Sequence, residues 1–243
     1  MAFHNLTTAD GLTSNQVSAI YRDSRGFLWV GTEEGLDRYD AYRFSSFTAQ
    51  DGLPGLGVSQ LAEDTQGRIW VLTSDGSACY SYQDDRFVLA EEALAAMGIR
   101  IREPVAVGSN PDHSIFWVLG EESIAAYGAA QDRVIEFPVS NTKYLLPCMQ
   151  GDRIYYAESD ARLFCANMRT GVREEIPYPE SFRTQVAGLL PRMFADRRGG
   201  YWVYTYRTDI LLHYTPTEGW RRETLPKNEG QFNRITAIAE RPA

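Results

Sequence analysis

The 243-residue sequence has few lysines, few cysteines and no long hydrophobic run. Lys143 and Lys227 are the only lysines among 24 basic residues, and 32 acidic residues bring the net charge to −8. A chain with this charge and no basic cluster is not expected to bind nucleic acid or an anionic membrane surface. No stretch approaches the roughly 18 apolar residues of a membrane-spanning helix.

The reactive side chains are sparse and scattered. Cys79, Cys148 and Cys165 are odd in number and lack metal-ligand spacing, which argues against a disulfide framework and against a metal site. No phosphate loop or other cofactor motif occurs, so no cofactor is expected. The three histidines have no Ser, Cys or carboxylate partner at a recognisable spacing: His4, His113 and His213. The sequence therefore predicts no catalytic residue and a protein that is not an enzyme.

A repeated pattern dominates the chain. The segments 23–35 and 64–76 align without a gap, 196–205 is a third copy, and 115–123 and 153–159 are weaker copies. Each copy has one large aromatic residue at the same place: Trp29, Trp70, Trp117, Tyr156 and Trp202. These residues are separated by 41, 47, 39 and 46 residues. Four-stranded propeller blades repeat at about 40–45 residues, so the spacing predicts five blades.

The predicted fold is all-β: a β-propeller segment of about five four-stranded antiparallel blades with flanking partial-blade strands, part of a larger array. The whole of 1–243 forms this segment, with blades at approximately 13–48, 56–90, 101–138, 142–177 and 185–226. Residues 1–8 and 232–240 are predicted to be strands of partial blades. A short helix is expected at 91–97, with almost no helix elsewhere.

The two ends of the sequence repeat parts of the first blade. Residues 3–12 resemble 44–53, and 233–238 resemble 15–20. We therefore expect the chain to be a fragment of a longer array that opens on an outer strand and closes on an inner one. Because a cut array exposes apolar sheet faces, such a fragment is expected to self-associate or to be less stable than its parent.

The first repeat resembles that of a known family. The matching positions are Asp10–Val17, Asp23, Gly26, Trp29–Thr32, Gly35–Leu36 and Arg38–Tyr39. They look like the two-component regulator propeller repeat; the second copy lacks the Gly-Leu pair, and the weaker copies at 115–123 and 153–159 lack the Asp-x-x-Gly turn. The resemblance implies the periplasmic sensor region of a hybrid two-component system of the Bacteroidetes type. It also implies an oligosaccharide or small-molecule ligand, a homodimeric receptor, and a membrane helix and histidine kinase outside this chain.

Two conspicuous residue types have competing interpretations. The repeated aromatic residues could stack on sugar rings, but their fixed place in every blade favours packing between blades. Trp220, at the start of an outer strand, is also expected to be structural. The aspartates of the turns at Asp23, Asp64 and Asp196 offer one carboxylate each, whereas calcium needs several oxygens in one loop, so a structural role is favoured.

Ligand-binding residues are expected in the loops at one face of the blades, because binding residues concentrate on loops held by a rigid scaffold. The candidates are Asn15, Glu33, Glu34, Asp75, Tyr206, Arg207 and Asn233. Tyr206 and Arg207 lie in a turn with one extra residue relative to the repeat. For Asn15 and Asn233, capping of the backbone at a shared turn is the alternative.

These observations predict a non-enzymatic, ligand-sensing propeller module that reads a glycan fragment in the periplasm. Two alternatives stay open. One is a carbohydrate-active propeller enzyme, a glycosidase or lyase with carboxylates from different blades. The other is an architectural or dimerisation spacer without a ligand site.

Overall fold

Five separate antiparallel sheets make up the computed structural model, which describes residues 5–140, 147–158, 160–189, 191–205 and 210–224. Each sheet has four strands that are consecutive in the chain and lie side by side in sequence order. A run of such four-stranded meanders is the arrangement of propeller blades. The predicted all-β propeller fold is confirmed.

The strands of the first three sheets fall within the predicted blade ranges. The first sheet contains β1 (Val17–Arg22), β2 (Leu28–Thr32), β3 (Leu36–Tyr39) and β4 (Phe44–Phe47). The second contains β5 (Val58–Glu63), β6 (Ile69–Thr73), β7 (Gly76–Ser81) and β8 (Arg86–Leu89). The third contains β9 (Ala106–Ser109), β10 (Ile115–Leu119), β11 (Ser123–Gly128) and β12 (Arg133–Pro138).

The last two sheets also lie within their predicted ranges. The fourth contains β13 (Cys148–Gln150), β14 (Arg153–Ala157), β15 (Leu163–Asn167) and β16 (Arg173–Ile176). The fifth contains β17 (Pro191–Ala195), β18 (Tyr201–Thr205), β19 (Leu211–Thr215) and β20 (Gly219–Arg222). The described helices are α1 (Ala90–Ala96), α2 (Glu180–Val186) and two 3₁₀ turns, Thr8–Asp10 and Ala49–Asp51.

The two α-helices differ in how well the sequence predicts them. Helix α1 was expected at 91–97; alanines and two glutamates favour it, and Gly98, with a φ of 77°, ends it. Helix α2 contradicts the expectation of almost no further helix. Phe182 and Val186, four residues apart, pack into the core of the last two sheets, so burial of one apolar stripe stabilises this helix.

The expected strand at residues 1–8 is wrong for the part that the structure describes. Thr8 lies in a 3₁₀ turn, and residues 5–7 are not in a strand. Thr7 Oγ1 caps this turn, and the Asp10 carboxylate accepts the backbone N–H of Thr7; Thr48 and Asp51 make the same pair of interactions after the first sheet. The similarity between 3–12 and 44–53 therefore reflects a repeated capped turn. The expected strand at 232–240 lies outside the described residues.

The chain divides into two compact units. The first unit comprises residues 1–120 and 124–134, and the second comprises 121–123 and 135–243. The division passes through the third sheet. The first unit thus holds the first two sheets and most of the third, and the second unit holds the fourth and fifth sheets.

The core of the first unit lies between successive sheets. Trp29 packs with Tyr80 and Val58 between the first two sheets, and Trp70 packs with Phe116 between the second and third. Residues of helix α1 pack into the same cluster as Trp70 and Phe116. Side chains of one sheet thus fill the face of the next, as the repeated aromatic residues predict.

The first two sheets approach each other closely at Gly31. A β-carbon there would lie 2.9 Å from the Cβ of Val58 and nearer still to its Cγ1. Real β-carbon contacts are not so short, so β2 tolerates no side chain at this point. Glycine therefore sets the spacing between the two sheets at this level.

The core of the second unit lies between the fourth and fifth sheets and beneath α2. Its buried residues come from β14, β15 and β17–β19, with Ala161 from the turn between β14 and β15 and Val186 from the helix. Trp220 packs at its edge, where it contacts Tyr178 and Tyr214 and donates its indole N–H to the carbonyl of Pro177. This placement agrees with the structural role expected for Trp220.

Replacing Trp70, which is 0% exposed, by alanine should lower the free energy of unfolding by about 3–5 kcal/mol, because it leaves a large cavity between two sheets. Urea denaturation measures this change. Tyr42→Ala is the control, since Tyr42 is 92% exposed and its removal should leave stability within about 0.5 kcal/mol of the parent. Equal effects of the two substitutions would contradict the assignment of Trp70 to the core.

Candidate functional site

The turn between the first two strands of the first sheet is built around the Asp23 carboxylate. Its Oδ1 accepts the backbone N–H groups of Arg25 at 3.0 Å and Phe27 at 2.8 Å. Its Oδ2 accepts the indole N–H of the buried Trp29 at 2.8 Å. One side chain thus shapes the turn and satisfies the polar atom of the core tryptophan.

The second sheet repeats this arrangement. Asp64 accepts the backbone N–H groups of Gln66 and Arg68 through Oδ1, and the indole N–H of Trp70 through Oδ2 at 2.7 Å. Arg68 Nε also donates to Oδ2 at 2.7 Å. Both carboxylates therefore serve the turn and the core. No group of three or more His, Cys, Asp or Glu side chains within the described ranges is placed to hold a metal ion.

The later copies depart from this pattern. Asp196 still accepts the N–H groups of Arg198 and Gly200, each at 2.8 Å, but Trp202 is only half-buried. The indole of Trp202 stacks on the imidazole of His213, with ring centroids 3.6 Å apart. The predicted packing between blades is met by Trp29 and Trp70, and Trp117 and Tyr156 are also buried.

The candidate ligand-binding residues of the first sheet lie together at one end of it. Glu33 and Glu34 form the exposed turn between β2 and β3, and Asn15 precedes β1 at the same end. The backbone N–H of Glu33 donates to the carbonyl of Gln16 at 3.3 Å, and the side-chain amide nitrogen of Gln16 donates to the Glu33 carboxylate. Asn15 Oδ1 accepts the N–H of Thr8 at 3.0 Å. The Asn15 side chain therefore caps the backbone of a turn, which is the alternative to ligand binding.

Asp75 occupies the equivalent turn of the second sheet. It is exposed, and its carboxylate accepts the hydroxyl of Ser74 at 2.8 Å. The Ser74 N–H donates to the carbonyl of Gly57 at 2.9 Å, so this turn is held against the segment that enters its own sheet. The structure therefore places Glu33, Glu34 and Asp75 on braced turns at corresponding ends of adjacent sheets. Tyr206, Arg207 and Asn233 lie outside the described residues.

A second cluster was missed from the sequence. His113, for which no partner was expected, lies 3.0 Å from Ser109 Oγ through Nδ1 and 3.8 Å from Glu63 Oε2 through Nε2. No recognisable spacing in the sequence indicated the contact with Glu63, because stacking of the second and third sheets joins residues far apart in sequence. A sequence signal did exist: Asn110-x-x-His113 stands where other copies have Asp-x-x-Gly.

Comparison with known proteins agrees with this architecture. The pattern of the two component regulator propeller family matches residues 11–34 and 52–75, which cover the two copies of the Asp turn and its tryptophan. The chain carries two-component regulator propeller repeats. No curated protein matches the chain.

Solved structures of two bacterial extracellular domains share the fold of this chain. The extracellular domain of BT3049 from B. thetaiotaomicron, described as a hybrid two component system, is 20% identical with a TM-score of 0.58. That comparison covers 91% of this chain and 32% of the other. The extracellular domain of BT4673 from the same organism gives 15% identity and a TM-score of 0.59 over 96% of this chain and 34% of the other. The chain thus spans about a third of these domains.

A lyase has a comparable fold. Virginiamycin B lyase from Staphylococcus aureus is 11% identical with a TM-score of 0.58, over 87% of this chain and 71% of the lyase. At these identities the comparisons establish the propeller fold alone. No helix in the described part of the chain has the length and hydropathy needed to cross a membrane.

Asp64→Asn tests the Asp turn. The amide retains one oxygen for the turn but can place an NH₂ group against the indole N–H of Trp70, so stability should fall by about 1–3 kcal/mol. Urea denaturation gives the free energy, and the indole N–H resonance of Trp70 should shift. Asp75→Asn, at an exposed turn, is the control and should change neither. An unaltered Trp70 resonance in Asp64→Asn would contradict the hydrogen bond.

Proposed function

We propose that this chain is a ligand-sensing propeller module of a hybrid two-component signalling protein, and that it binds an oligosaccharide through the exposed turns at one end of its sheets. The observation that supports this most directly is the placement of Glu33, Glu34 and Asp75 on braced turns of adjacent sheets. Regulator propeller repeats in the same two sheets, and the fold shared with extracellular sensor domains, agree with it.

The chemistry of these turns suits a sugar. Exposed carboxylates accept hydrogen bonds from hydroxyl groups, and a charged acceptor forms stronger bonds than a neutral one. The backbone of each turn is held by hydrogen bonds from Glu33 and Ser74 to the adjoining segments. Because these turns are already ordered, binding needs little further loss of conformational entropy.

We propose a periplasmic location for the module, a homodimeric receptor, and a membrane helix and histidine kinase supplied by other parts of the protein. In such a receptor the module acts by binding and releasing its ligand. Tyr206, Arg207 and Asn233 remain candidate ligand contacts from their sequence positions.

Calorimetry with a panel of neutral oligosaccharides tests this function on the purified chain. Glu33→Gln and Asp75→Asn should each weaken binding of a positive oligosaccharide about tenfold, because one charged hydrogen bond contributes about 1.5–3 kcal/mol. Melting temperatures should stay unchanged, since both side chains are exposed. Glu91→Gln, an exposed carboxylate on α1, is the matched control and should bind like the parent.

Three outcomes would count against the proposal. Binding that is equal in Glu33→Gln, Asp75→Asn and the parent would remove this face as the ligand site. Cleavage of a bound oligosaccharide, detected by mass spectrometry of the mixture, would favour the carbohydrate-active enzyme. Absence of binding across the panel would favour a spacer module.

A further inference from the structure

The ends of three neighbouring inner strands bring polar side chains together in the first unit. Tyr21 lies near the end of β1, Glu63 ends β5 and Ser109 ends β9, and His113 follows in the turn after β9. These positions adjoin the turns between first and second strands. In an antiparallel sheet they lie at the opposite end from Glu33 and Asp75, so this cluster is separate from the proposed ligand face.

The imidazole of His113 lies between a hydroxyl and a carboxylate. Its Nδ1 is 3.0 Å from Ser109 Oγ, and its Nε2 is 3.8 Å from Oε2 of Glu63. A carboxylate beside Nε2 favours the tautomer with its proton on that nitrogen, which leaves the Nδ1 lone pair facing the hydroxyl. His113 is therefore placed to take the Ser109 proton, as the base of a nucleophile–base–carboxylate arrangement does.

Glu63 is fixed in place. Its side chain is 2% exposed, and it accepts the backbone N–H of Ser24 at 2.8 Å and the Ser24 hydroxyl. These two bonds come from the turn of the first sheet, so the carboxylate has a defined orientation toward His113. His113 is 29% exposed and Ser109 is half-buried, so solvent reaches the pair.

Tyr21 lies next to Ser109. The Ser109 side chain and the backbone N–H of Glu63 act as hydrogen-bond donors toward its phenol oxygen, and both oppose the rise in the pKa of Tyr21. Burial and the negative charge of Glu63 raise the pKa of Tyr21 to about 12, so the phenol keeps its proton at neutral pH. A protonated phenol beside the hydroxyl is suited to stabilise an oxyanion that forms there.

The third sheet departs from the repeat where this cluster lies. His113 has a φ of 55°, in the left-handed region. The corresponding positions in the first two sheets are the glycines Gly26 and Gly67, which also have positive φ. Asn110 replaces the turn aspartate, and the buried indole N–H of Trp117 finds no acceptor among the described residues. Departures that strain the backbone and leave a core donor unpaired are concentrated at functional sites in proteins.

We propose that Ser109, His113, Glu63 and Tyr21 form an acyl-transfer centre that accepts the acyl group of small, uncharged carboxylic esters. Ser109 Oγ bonds to the ester carbonyl carbon while its proton passes to His113 Nδ1, and Tyr21 donates to the resulting oxyanion. The bond to the alcohol oxygen then breaks, and that oxygen takes the proton from Nδ1. Water repeats the two steps on the acyl-serine and releases the carboxylic acid.

The charge of the surroundings supports an uncharged substrate. Glu63 lies 3.8 Å from His113, and Asp112 is exposed in the same turn. Asp23 lies close enough to Tyr21 to raise its pKa further. These carboxylates oppose the approach of an anionic ester. The centre does not depend on the proposed sensing function.

Labelling of the intact chain with a fluorophosphonate, which reacts with activated serines, tests the proposal. The parent should be labelled at Ser109, as located by mass spectrometry of its peptides, and should hydrolyse p-nitrophenyl acetate. Ser109→Ala should lose both. Tyr21→Phe should slow labelling about 10²-fold, the usual effect of removing one oxyanion donor.

His113→Gly separates chemistry from folding, because it restores the residue of the other turns and relieves the left-handed backbone. It should melt at or above the temperature of the parent, while labelling of Ser109 falls about 10²–10⁴-fold with the loss of the base. Ser114→Ala, in the same turn but outside the cluster, should label like the parent. Absence of label at Ser109 in the parent, or equal labelling in His113→Gly, would overturn the proposal.

Discussion

A buried indole N–H needs an acceptor, and the turn aspartate that supplies it determines much of this structure. Asp23 and Asp64 each join a turn to the tryptophan six residues later, which fixes the start of the second strand relative to the core. In the first sheet the Tyr82 hydroxyl of the next sheet also donates to Asp23. One carboxylate thus links the turn, the core and the neighbouring sheet.

Where this interaction is absent, other contacts replace it. Trp202 stacks on His213, and the indole of Trp117 packs over Gly108, where a β-carbon would be 2.6 Å from the ring. In the fourth sheet, a buried Glu158 in the turn between β14 and β15 is paired with Arg162 and Arg173. The five sheets share one backbone arrangement, but the side chains that complete the core differ from sheet to sheet.

The parts predicted from sequence are those encoded locally in each repeat. Alternating strands and the spacing of the aromatic residues predict the five sheets, and exposed turns such as Glu33–Glu34 follow from strand order. Helix α2 was missed because its helical signal is a single apolar pair, Phe182 and Val186. The contact between Glu63 and His113 could not be predicted, since it arises only when two sheets stack and no spacing within one repeat encodes it.

The close approach at Gly31 makes the order of the blades part of the fold. The first sheet can receive Val58 because it has no side chain there, whereas the second sheet has Leu72 at the corresponding step of its second strand. A copy of the second sheet placed before another copy of itself would bring a leucine against a β-branched valine. Although they share a repeat, these blades cannot simply exchange places. An array with the blades in another order would need new side chains wherever two sheets pack against each other.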